Sequence, residues 1–195
     1  MRTKINIIKI LVGMVILLTV VIGYSNTSAP LYEFTCITNF LCGTLLCVDG
    51  VLNIFCRRSL PHILYDMVLA CANTVLFTLA FELSGYHFFN FQGAFLFLHA
   101  INLIIFLCLY LAQPYYKIKL VHLMVTPIGV MLYALFDVIR FAFTGNLVYG
   151  LVAPNYINCA STLMIGISLY IFEIVVMYGV SCIKQSLHSI IQTKA

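Results

Sequence analysis

Six times along the chain a long apolar run recurs, each closed by a short polar break or one bearing proline or glycine. The runs are Ile5–Tyr24, Phe34–Phe55, Leu64–Leu83, Phe91–Leu111, Leu120–Phe143 and Ile157–Cys182. About 20 helical residues cross a hydrocarbon core of about 30 Å, so each run is long enough to span a bilayer. None alternates apolar and polar residues as a barrel strand does, so helices must satisfy the backbone in lipid. The pattern predicts an all-α polytopic membrane protein, a single domain over residues 1–195 built as a bundle of six transmembrane helices.

Composition agrees. Apolar residues make up 63% of the chain and charged ones 8%, against about 25% charge in a soluble domain. The first run has the basic start of a signal peptide, and "TSA" resembles a cleavage site. Pro30 directly after Ala29 is a poor context for cleavage, so this run is read as a transmembrane helix. Tyr86, Tyr149 and Tyr156 in the connections read as interface anchors.

Charge then orients the bundle. Arg2, Lys4 and Lys9 stand at the start of the first run, and Arg57 and Arg58 follow the second. Lys117 and Lys119 separate the fourth from the fifth, and Lys184 and Lys194 follow the sixth. Six spans place all of these on one side, the cytoplasm by the positive-inside rule, with both termini there. Arg140 alone lies near the opposite end, on the fifth run. The net charge of +4 therefore suits anionic lipid. Nucleic acid is excluded as a partner, because no basic stripe with interleaved aromatics is present.

Eight cysteines suggest disulfides or a metal at first sight. There is no CxxC and no cysteine–histidine spacing of a zinc site, so they read as packing residues. A haem would want two histidines at matched depth, whereas His62, His87, His122 and His188 lie in connections, near ends or in the tail. No cofactor and no metal is expected.

Polar residues inside the spans are costly and mark candidate sites. Asp49, Asp66 and Glu173 lie toward the cytoplasmic side; Arg57 and Arg58 could pair with the first two as structural glue. On the outer side Thr35, Thr38, Asn39 and Cys42 follow i, i+3, i+4, i+7 spacing and share one helix face. His99 and Asn102 are one turn apart on the fourth run, and Asp137 and Arg140 one turn apart on the fifth. At a rise of ~1.5 Å per residue, Thr38 sits ~8 Å, His99 ~12 Å and Asp137 ~9 Å below the outer boundary. Similar depths allow one outer-leaflet pocket without establishing that the helices are neighbours. There His99 could act as a base on a threonine hydroxyl. The alternative for the threonines is back-bonding to a carbonyl one turn earlier. Arg140 either pairs with Asp137 or grips a lipid carboxylate or phosphate.

Three stretches, "YEFTCITNFLCG", "FLHAINLIIFLCLYLAQP" and "LYALFDVIRFAFTGNLVYGLVAPN", together resemble the androgen-induced membrane hydrolase family, and more closely its bacterial relatives, over roughly residues 32–156. That resemblance implies six passes and a threonine hydrolase of fatty-acid esters of hydroxy fatty acids. His99 in "HAINLIIFL" matches the family's histidine base. Thr35, following Phe34, matches the threonine nucleophile, while its distance to Asn39 is one residue longer than in the animal proteins, which leaves Thr38 as the other candidate. The animal pattern of tryptophan and proline after "TG" is lost in "TGNLVYGL", which bears on the substrate.

The leading expectation is an intramembrane lipid-ester hydrolase. Thr35 or Thr38 attacks, His99 serves as base and then acid, Asn39 or Asn102 donates to the oxyanion, and Asp137 orients His99. The alternative is a non-catalytic integral membrane protein that binds a lipid or a partner subunit through Arg140. A small transporter using Asp137, His99 and Glu173 is third, weakened by the absence of an internal repeat. Membrane lipids are the expected partners, homo-oligomerisation is left open, and a bacterial plasma membrane is the expected location.

Overall fold

The computed structural model describes residues 2–26, 30–81, 93–145 and 159–193, and their regular structure is entirely helical. The tyrosines at 86, 149 and 156 lie outside the described residues. Two compact units, Met1–Gln113 and Pro114–Ala195, each have their own internal packing.

The first unit holds α1 (Arg2–Tyr24), α2 (Phe34–Val51, prolonged by a π-helical turn over Leu52–Cys56), α3 (His62–Phe81) and α4 (Ala94–Leu111). Glycines let α1 and α2 meet backbone to backbone. A Cβ on Gly13 would stand 2.7 Å from the Gly43 carbonyl oxygen, and one on Gly43 would stand 2.9 Å from the Gly13 carbonyl oxygen. Further along, a Cβ on Gly50 would come within 2.8 Å of the Asn6 carbonyl oxygen. Lipid tails are as apolar as leucine, so helices in a bilayer gain little from hydrophobic burial and rely on such close packing. Ile16, Leu46, Leu69, Leu98, Leu103 and Phe106 fill the space between the helices.

A buried carboxylate ties three of these helices together. Lys9 Nζ on α1 lies 2.7 Å from Asp49 Oδ2 on α2, and the Tyr65 hydroxyl on α3 donates to the same oxygen at 2.8 Å. Asp49 Oδ1 accepts from the Leu60 backbone N–H at 2.8 Å and from Asn53 Nδ2 at 3.1 Å. The lysine also sits 5.5 Å from the centre of the Tyr65 ring. The expected pairing of Asp49 with Arg57 and Arg58 is thus corrected: both arginines are exposed, and Arg57 closes the π-helical turn in a left-handed conformation with φ 52°. Asp66 accepts from the Tyr110 hydroxyl at 2.8 Å.

The second unit holds α5 (Leu120–Val125), α6 (Ile128–Thr144) and α7 (Cys159–Thr193). A continuous fifth helix was expected, and Pro127 interrupts it. Proline has no N–H to give the Leu123 carbonyl one turn back, and the Thr126 hydroxyl bonds that carbonyl instead at 2.9 Å. The Tyr170 hydroxyl on α7 bonds the next carbonyl, that of Met124. Beyond the break, Gly166 packs against Ala134, where an added Cβ would stand 2.7 Å from the alanine Cβ.

Among the described residues six helical stretches are long and apolar enough to cross a membrane: Thr3–Tyr24, Phe34–Cys56, His62–Leu79, Ala94–Leu111, Leu120–Thr144 and Ala160–Ile190. They fall on the six expected runs. By length and composition the chain reads as a multi-pass membrane protein. The last helix continues past the expected end at Cys182 to Thr193.

Candidate functional site

Of the face predicted on α2, Thr35, Thr38, Asn39 and Cys42 are all buried. Asn39 is the centre of a polar network. Its Nδ2 donates to the Thr35 carbonyl at 2.9 Å and, across the helix interface, to the Leu98 carbonyl on α4 at 2.8 Å. Its Oδ1 accepts from Asn102 Nδ2 at 3.0 Å, and Asn102 Nδ2 also donates to Thr19 Oγ1 on α1 at 2.8 Å. The Thr19 hydroxyl donates onward to the Ile16 carbonyl at 2.7 Å.

Hydrogen-bonding rules fix both amide orientations. Carbonyls only accept, so the Asn39 atom facing two of them must be nitrogen. Its oxygen then faces Asn102, whose atom there must be nitrogen in turn. Each NH₂ carries two hydrogens and each spends both. In this arrangement neither asparagine has a hydrogen left for an oxyanion.

The Leu98 carbonyl is available to Asn39 because α4 is not a regular α-helix there. Residues 97–101 form a π-helical turn, and the Asn102 N–H reaches back five residues to the Phe97 carbonyl. In an α-helix that N–H would have taken the Leu98 carbonyl. π-Helical turns inside α-helices are frequent at functional sites.

His99 stands in the middle of that turn, half-buried. Its Nδ1 lies 3.0 Å from the Phe95 carbonyl, and its ring stacks on Phe95 at 5.5 Å between centroids and 6° between planes. A carbonyl requires a donor, so Nδ1 carries the hydrogen and Nε2 is the nitrogen whose lone pair can take a proton. The group at Nδ1 is therefore a backbone carbonyl of the same helix.

Thr38 differs from five other threonines. Thr19, Thr74, Thr78, Thr126 and Thr144 all bond a carbonyl three or four residues earlier. The Thr38 side chain is fully enclosed, and its Oγ1 has no hydrogen-bond partner among the described residues. Thr35 lies in the first turn of α2, after Glu33, which makes no side-chain cap.

Asp137 and Arg140 belong to the second unit. Asp137 is buried on α6 and Arg140, one turn on, is half-buried. Among the described residues no three His, Cys, Asp or Glu side chains gather as metal ligands would.

Sequence reasoning missed Thr19 and the role of Lys9. Thr19 lies in an otherwise aliphatic run, and only its contact with Asn102 gives it meaning. Lys9 offered a signal, because it stands several residues inside the first apolar run rather than before it. No family model matches the sequence, and comparison with curated proteins and with solved structures finds no match either.

Proposed function

We propose that the chain is a multi-pass protein of a bacterial plasma membrane that hydrolyses lipid esters, with a threonine of α2 as nucleophile and His99 as base. The observation that carries this reading is the 2.8 Å bond from Asn39 to the Leu98 carbonyl. It holds the turns of α2 bearing Thr35 and Thr38 against the π-helical turn of α4 bearing His99. The sequence resemblance to the androgen-induced membrane hydrolases supplies the substrate class, fatty-acid esters of hydroxy fatty acids.

In the first step the threonine Oγ adds to the ester carbonyl carbon as its proton passes to His99 Nε2. Collapse of the adduct expels the alcohol oxygen, which takes that proton, and leaves an acyl-threonine. Water then attacks the acyl carbon, again giving its proton to Nε2, and the threonine leaves with that proton. Both asparagine amides are committed elsewhere, so the oxyanion falls to backbone N–H groups in the first turn of α2, which a side chain of Glu33 does not cap. Their position favours Thr35; the unpartnered hydroxyl favours Thr38. Turnover of such an ester by purified protein tests the reading: His99→Ala should abolish it, and absence of turnover by the wild-type chain would sink it.

A specific observation favours a second reading. Both threonines are buried and every hydrogen of both asparagine amides is engaged, as in a packing node. On that reading the chain binds a lipid or a partner subunit without chemistry, through Arg140. His99→Ala would then leave binding intact, while Arg140→Ala would weaken it.

A further inference from the structure

Where the segment Pro114–Lys119 meets the last turns of α7, the second unit builds a corner from basic and aromatic side chains. Lys184 Nζ lies 5.2 Å from the centre of the Tyr116 ring, and the Tyr115 and His188 rings stand 6.2 Å apart. Lys184 and His188 are four residues apart and so share a helix face. Two consecutive tyrosines therefore clasp one face of α7. Lys184 is only 2% exposed there, so it lies behind the surface of the corner. Lys117 and Lys119 follow directly on the tyrosine segment, and both are exposed.

The charge balance of the two segments is one-sided. Between residues 114 and 136 and between residues 174 and 195 the sequence has lysines and histidines and no aspartate or glutamate. Beside the basic groups lies an apolar flank. Leu120 is 71% exposed and Val121 66%, directly after Lys119, and Ile183, next to Lys184, is exposed as well. A soluble anion would use the lysines and have no use for that flank.

We infer that this corner binds the phosphate of an anionic phospholipid, with the exposed Lys117 and Lys119 at the phosphate and the acyl chains along Leu120, Val121 and Ile183. Arginines and lysines fixed at the end of a membrane helix attract anionic headgroups, while the apolar flank selects a lipid over free phosphate. The inference rests on the membrane reading alone, and holds whether or not His99 and the threonines carry out hydrolysis.

The test uses the full chain in neutral detergent micelles, titrated with phosphatidylglycerol or phosphatidylcholine, with bound lipid counted by native mass spectrometry. Phosphatidylglycerol should be retained in preference to phosphatidylcholine. The double variant Lys117→Gln, Lys119→Gln should weaken it by about fivefold for each lysine removed. Both residues are exposed, so folding is preserved, and helix content by circular dichroism checks this. Lys4→Gln removes the same charge from an exposed site in the first unit and should leave binding unchanged. Millimolar inorganic phosphate should not displace the lipid. Equal retention of the two lipids, an unaffected double variant, an equal loss in Lys4→Gln or displacement by phosphate would each overturn the proposal.

Discussion

Replacing Asp49 by alanine probes the centre of the first unit. Four donors converge on its carboxylate: the Lys9 ammonium, the Tyr65 hydroxyl, the Leu60 N–H and the Asn53 amide. Asp49→Ala leaves a buried ammonium and three neutral donors without their acceptor. Removing one partner of a buried ion pair costs about 3–5 kcal/mol. At about 2–4 °C per kcal/mol for a chain of this length, the unfolding midpoint should fall by about 6–20 °C. Lys9→Met should cost less, because the carboxylate keeps Tyr65, Leu60 and Asn53; the loss of one charged hydrogen bond is about 1.5–3 kcal/mol. Combining the two substitutions should cost less than their sum, since the stranded ammonium is gone. The chain has no tryptophan, but its cysteines supply a readout. Cys36, Cys42 and Cys71 are buried, while Cys56, Cys108 and Cys182 are exposed. A thiol-reactive dye should therefore label the exposed set at once and the buried set on heating. A midpoint for Asp49→Ala within about 1 °C of wild type, against the shift expected, would refute the reasoning. So would strict additivity in the double variant.

Three further outcomes follow from the packing and the polar network. Gly43→Ala places a Cβ 2.9 Å from the Gly13 carbonyl and should lower the same midpoint by an amount equivalent to about 1–3 kcal/mol, whereas Gly179→Ala, with nothing within 4 Å, should not lower it. Asn39→Leu removes the donor to the Leu98 carbonyl and the acceptor of Asn102 together, and should cost at least about 2 kcal/mol in the thiol assay. Thr38→Val keeps the shape and removes a buried hydroxyl without a hydrogen-bond partner, so it should raise the midpoint, by up to about 1 kcal/mol equivalent; a lowered midpoint would mean that the hydroxyl is satisfied.

The six spans were legible because length and apolarity are local properties, and a bilayer demands both. The face of Thr35, Thr38, Asn39 and Cys42 was legible for the same reason: helical periodicity puts those residues together wherever the helix packs. What they face was not legible. The Asn39–Leu98 bond joins residues 59 apart in sequence, and it needs a π-helical turn that no residue in "FLHAI" announces. Asp49 shows how sequence proximity misleads. Arg57 and Arg58 lie within three turns of it, yet the chain turns at Arg57, and the close glycine contacts of α1 and α2 deliver Lys9, 40 residues away, instead. Pro127 was visible in the sequence, but its cost depends on whether other groups take the freed carbonyls. Thr126 and Tyr170 do so, and Tyr170 is 46 residues from its partner. His99 lies within α4, on the fourth expected run. The nitrogen it offers became clear only from the Phe95 carbonyl.

Whether a threonine of α2 is a nucleophile is decided most directly by covalent labelling. Membranes containing the wild-type chain, Thr35→Ala, Thr38→Val or His99→Ala would be treated with a fluorophosphonate and the adduct located by peptide mass spectrometry. The expected result is an adduct on one of the two threonines, lost in that threonine's variant and in His99→Ala and retained in the other. No adduct in the wild-type chain, or one that persists without His99, would contradict a threonine–histidine hydrolase and leave the lipid- or partner-binding reading in its place.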